Sequence, residues 1–115
     1  MACYAISVLS LEQIKKEVVE VARANGAHKA ILFGSYARGT ATRHSDVDLI
    51  FVEESTEPFL KRLDRYLFPL SDRLGGGVET LVYTPGELTS ISHRAFIQRA
   101  LREGIVLYES GKASS

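Results

Sequence analysis

Apolar residues recur at helical spacing from Leu11 through Ile14, Val18, Val21 and Ala22, and Asn25-Gly26 supplies a stop, so the pattern predicts a first helix. Ser10 and Gln13 stand at the two positions of a capping box ahead of it. Ala30-Ile31-Leu32-Phe33 is a short unbroken apolar run, which suits a strand covered on both faces. Gly34 and Ser35 then open a short helix through Arg38, which Gly39 ends. Asp46 to Val52 reads as a second strand, polar at its start and apolar after it. Pro58 suits the first turn of a helix whose stripe is Leu60, Leu63, Leu67, Leu70 and Leu74, and Pro69 is expected to kink or split it. Gly75, Gly76 and Gly77 release the chain into a strand from Val78 to Tyr83, and Thr84-Pro85-Gly86 turns it. Ser92 is expected to cap a last helix with Phe96, Ile97, Ala100 and Leu101 facing inward; Gly104 ends it before a strand from Ile105 to Tyr108.

This alternation predicts an α/β fold of the α+β type, a single mixed sheet of about four strands flanked by helices. The link between the first two strands is too short for a crossover helix, so they are expected to be antiparallel neighbours. Residues 1–109 are read as one domain, and the small polar residues 110–115 as a disordered tail. A chain of 115 residues can bury a core but leaves no separate recognition domain, so the acceptor of any group transfer must come from another molecule. Fourteen basic and fourteen acidic residues cancel, which disfavours nucleic acid as a partner. The lone Cys3 cannot form an internal disulfide, no run reaches membrane-spanning length, and no leader pattern is visible, so the expectation is a cytoplasmic protein with no membrane partner. Several apolar stripes on a small domain leave self-association open.

The chemistry concentrates between Gly34 and Asp48. Gly34 lets backbone approach a ligand, and Ser35 offers a hydroxyl at a helix start that favours an anion such as a triphosphate. Asp46 and Asp48 stand two apart on the expected strand, so both carboxylates would leave one face, suited to divalent metal. Asp is poorly suited to strands, and two on one face repel unless a cation or donors lie between them. Glu79 is the candidate third carboxylate, and Arg38 and Arg43 are candidate phosphate partners. Each part alone has an ordinary reading as a turn, a strand-edge acid or a surface arginine. His44 has no partner at zinc-ligand spacing, Ser35 has no nucleophile-elbow setting, and no P-loop is present.

Taken together, Gly34-Ser35-Tyr36-Ala37-Arg38-Gly39, the ten-residue gap and Ser45-Asp46-Val47-Asp48-Leu49 resemble the signature of the DNA polymerase β-like nucleotidyltransferases, in particular the minimal nucleotidyltransferases. Val78 to Val82 and Ala100 to Tyr108 share that likeness. The resemblance implies a nucleotidyltransferase that binds the phosphates of ATP at Gly34 and Ser35 and two Mg²⁺ ions at Asp46 and Asp48. Glu79 would be the third ligand, helping to deprotonate the attacking hydroxyl. It also implies transfer of AMP to a hydroxyl of a small helical HEPN-type partner protein, as the antitoxin of a toxin–antitoxin pair. Family members more often carry Asp at the third position, and glutamate's extra methylene motivates an alternative: a non-catalytic nucleotide-binding or partner-masking module. A small-molecule acceptor is a weaker third reading, because such enzymes usually need recognition elements beyond this length.

Overall fold

The computed structural model describes residues 8–110. Cys3 and positions 111–115 of the expected tail lie outside them. The elements run α1 (Leu11–Asn25), β1 (Lys29–Phe33), α2 (Ser35–Arg38), β2 (Val47–Val52), α3 (Phe59–Leu74), β3 (Val78–Tyr83), α4 (Pro85–Ile91), α5 (Ala95–Glu103) and β4 (Ile105–Glu109). Four strands form one sheet in the order β3-β2-β1-β4, with β1 antiparallel to β2 and β4, and β2 parallel to β3. This is the mixed, helix-flanked sheet that the sequence predicts, antiparallel first pair included.

Strand periodicity divides the core into two unequal layers. Ile14, Val18 and Val21 of α1 and Tyr66 and Leu70 of α3 pack on Ala30, Leu32, Leu49, Phe51, Val78 and Val82. On the opposite face, Ile31 and Ile50 meet Ala100 of α5. That second cover is thin, and Asp48 and Glu79 alternate onto this face. The end of α5 reaches the sheet because Gly104 lacks a Cβ, which would stand 2.7 Å from Ile31 Cγ2 and 3.0 Å from the Leu32 carbonyl oxygen.

Several expectations need correction. Pro69 does not split α3, which runs unbroken through it. Proline has no N–H to give the Arg65 carbonyl, and the Asn25 side-chain amide donates to that oxygen instead, at 3.2 Å. Thr84-Pro85-Gly86 is not a simple turn but the start of α4. The Thr84 side chain and Glu87 form a capping box there, with Pro85 at the first position. The last helix begins after Arg94, not at a Ser92 cap, and Phe96 and Leu101 are 54% and 41% exposed rather than inward. Asp46 precedes β2, which begins at Val47.

At the end of β2 remote from Asp48, charged side chains tie α3 to the sheet. Buried Glu53 accepts from both terminal nitrogens of Arg65, one of them at 3.1 Å, and from the Tyr66 hydroxyl at 2.5 Å. Burial pushes the Glu53 carboxyl upward, but hydrogen bonds from Arg65 and Tyr66 overcome it and hold the group below its ordinary value. Arg62, also buried, makes a fork-to-fork pair with Glu87 at 2.6 and 3.0 Å. That pair, with the α4 capping bonds, holds the Glu87 carboxyl down to about 2.

Candidate active site

The turn after β1 folds back over the start of β2. Phe33 lies opposite Asp48 in the antiparallel register, which carries Gly34 directly onto the Asp48 carboxylate. Gly34 has φ +76°, and a Cβ there would overlap Asp48 Oδ2 and stand 3.2 Å from its Cγ. Glycine is therefore required both by the backbone angle and by the contact. Gly34→Ala is expected to displace Asp48 and lower any transfer activity by about a hundredfold. Steady-state kinetics check this, and thermal unfolding separates it from the strain of about 1–3 kcal/mol that a side chain adds in this glycine-only backbone region.

Ser35 heads α2, a single turn whose leading amides the helix itself cannot use. Asp48 is half-buried, and its carboxyl is pushed up to about 6 by burial first, then by Glu79 and Asp46, with Arg38 opposing. Glu79 is its register partner on the neighbouring parallel strand, about 4.8 Å away between backbones. The sign follows from the raised value: ionised Asp48 costs stability at neutral pH, a cost absent below the ordinary carboxylate range, and a bound cation opposes it.

Asp46 is placed differently from its expected position on a shared strand face. It lies in the preceding loop, exposed, with Oδ1 3.3 Å from where a Cβ on Gly77 would stand. The Val47 N–H donates to the Gly77 carbonyl at 2.7 Å, fastening this loop to the one before β3. Among the described residues, no three His, Cys, Asp or Glu side chains are gathered tightly enough to hold one metal ion. What the fold does bring together is Asp48 and Glu79, with Asp46 close enough for its charge to act on Asp48. Adjacent carboxylates, one of them resisting ionisation, are the donor chemistry that a divalent cation satisfies, so these residues fit such an ion.

The arginines part company. Arg38, with Glu103 4.0 Å away, shares a cavity of about 220 Å³ with Gly34, Asp48, Phe96 and Arg99. Arg43 instead lines a separate polar cavity of about 460 Å³ with His44, Asp46 and Gly77. A third cavity of about 450 Å³ extends from Asp48 and Glu79 to Leu81, Leu67 and Phe96. Phe96 and Arg99 are site-lining residues that sequence reasoning missed. Helical spacing alone assigns Phe96 to the core, and nothing in the sequence distinguishes Arg99 from other surface arginines.

A glycine turn pressed onto a strand carboxylate, inside a mixed sheet of this order, defines a nucleotidyl-transfer fold. The chain matches the nucleotidyltransferase domain over residues 11–107 and belongs to that family; it is a nucleotidyltransferase. A Methanocaldococcus jannaschii protein that carries the provisional name protein adenylyltransferase is 32% identical over 65% of this chain and 80% of its own length. Among solved structures, a toxin–antitoxin with AMP-PNP superposes with TM-score 0.67 at 23% identity, over 86% of this chain and 76% of that one. The complex of a tri-AMPylated Shewanella oneidensis HEPN toxin with an MNT antitoxin does so with TM-score 0.62 at 18% identity, over 89% and 75%. No helix among the described residues is long and apolar enough to cross a membrane.

Proposed function

We propose that this chain transfers AMP from ATP to a hydroxyl of a partner protein, in the setting of a HEPN toxin and its MNT antitoxin. The observation that carries the proposal is the approach of the Gly34 turn to Asp48, because it puts an anion-binding helix start against the carboxylate that faces Glu79. The relative's provisional name and the AMPylated neighbour support adenylyl as the group moved.

In this reading Ser35, the leading amides of α2 and Arg38 hold the triphosphate, and Asp46, Asp48 and Glu79 hold divalent cations, taken to be Mg²⁺. Such ions, when bound, neutralise phosphate charge and acidify the acceptor hydroxyl. Glu79 accepts the proton from that hydroxyl. The acceptor oxygen attacks the α-phosphorus, an O–P bond forms, and the bond to the β-phosphate oxygen breaks with pyrophosphate leaving. Asp48 must be ionised to hold a cation, so protons compete with the cation for it as the pH falls. Arg43 lines a cavity with Asp46, apart from the one that Arg38 shares with Asp48.

The test incubates the protein and its helical partner with Mg²⁺ and either α-labelled or γ-labelled ATP. Label is expected on the partner from the α-labelled nucleotide only; transfer from the γ position, or none from either, would count against the proposal. One observation favours a second reading, a partner-masking module: the three carboxylates are not gathered around a single point. In that case Asp46→Asn with Asp48→Asn would still neutralise the partner while transferring nothing.

A further inference from the structure

Phe96 is an aromatic residue on an amphipathic helix, yet it is 54% exposed. Its ring meets Phe33 edge-on, with centroids 5.6 Å apart and planes at 83°, a contact that fixes the ring while leaving most of the side chain accessible. Both aromatics line the two cavities that meet at Asp48, and Phe96 is the more exposed of the two. An exposed ring beside a carboxylate pair and a phosphate-sized turn calls for an occupant with its own flat face.

We propose that Phe96 is the platform on which the base of the bound nucleotide stacks. The inference rests on the nucleotidyl-transfer reading above and extends it to the nucleoside end of the substrate. With the triphosphate along Gly34, Ser35 and Arg38 and the α-phosphorus at Asp48, the two cavities that Asp48 itself lines offer the nucleoside its nearest room. Phe96 lines both. Burial of a base against the ring removes apolar surface from water, and the stack is tolerant of base identity because every base has a π-face. Phe96 therefore sets affinity for the nucleoside without choosing adenine over guanine.

Equilibrium binding of Mg-ATP, measured by calorimetry on the full chain, tests this with inorganic tripolyphosphate as a baseless competitor. Phe96→Ala is expected to weaken Mg-ATP binding about 5- to 150-fold, the range that loss of one base–aromatic stack produces. Phe96→Tyr should restore it, and tripolyphosphate should bind both variants as it binds the wild type. Unchanged ATP affinity in Phe96→Ala, or an equal loss for tripolyphosphate, would overturn the platform while leaving the transfer reading intact. A wild-type protein that binds no Mg-ATP would overturn both.

Discussion

Asp48→Asn is expected to lower adenylyl transfer by about a thousandfold or more while leaving the fold as stable as before, or more so, in metal-free buffer. The two halves of that result come from one cause. Asp48 is half-buried beside Glu79 and Asp46, and burial and their charges lift its carboxyl to about 6. Removing the charge relieves repulsion when no cation is present. It also removes the proposed metal ligand, whose loss would forfeit several kcal/mol of charge stabilisation in the transition state, at tenfold in rate per 1.36 kcal/mol. Thermal unfolding with and without Mg²⁺ checks the first half, since the wild type should gain stability on adding the ion and the variant should not. The label-transfer assay checks the second.

Arg65→Met is expected to be strongly damaging although it lies outside the site, destabilising the fold by about 3–5 kcal/mol at neutral pH. Glu53 is only 3% exposed and depends on Arg65 and Tyr66 for its partners. Methionine keeps the stem but leaves the buried carboxylate with the Tyr66 hydroxyl and no cation in contact. In the wild type the Glu53 carboxyl sits below its ordinary value, so its contribution is present above the unfolded carboxylate range and is lost as pH falls through the lowered folded value. In the variant the Tyr66 hydroxyl and the more distant Arg62 charge answer the desolvation of Glu53 only in part, its carboxyl moves up, and the penalty shrinks as acid protonates it. Denaturant unfolding at neutral and mildly acidic pH should show this narrowing gap, and adding Glu53→Gln should recover part of the loss. A penalty independent of pH would show that packing, not charge, ties α3 to the sheet.

Much of the scaffold was legible because local signals and packing agree. The Ser10 and Gln13 capping box, the Ile14 to Ala22 stripe and the apolar run before Gly34 each specify an element that the tertiary structure also needs. The short link from Gly34 to Ser45 determined the antiparallel pairing of β1 with β2 by chain reach alone. Pro69 misled because its remedy, the Asn25 side chain, comes from a residue 40 positions away from the carbonyl it satisfies. α4 was missed although Thr84, Pro85 and Glu87 spell a helix start, since Pro-Gly is also a strong turn signal. Within the site, residue types were legible and directions were not. A strand boundary one residue later than expected leaves Asp46 in a loop, and the thin cover of the α5 face turns Phe96 from a core residue into a wall of the site.

The central claim is that a nucleoside triphosphate and its divalent cations sit alongside the Gly34-Ser35 turn, at the Asp48–Glu79 pair that this turn touches. Crystals grown with Mn²⁺ and a non-hydrolysable ATP analogue test it most directly, because anomalous scattering locates the metal independently of the nucleotide. The account predicts a Mn²⁺ peak at ligand distance from Asp48, with phosphates against Gly34 and Ser35. Nucleotide bound elsewhere, or bound there with no metal at Asp48, would contradict it.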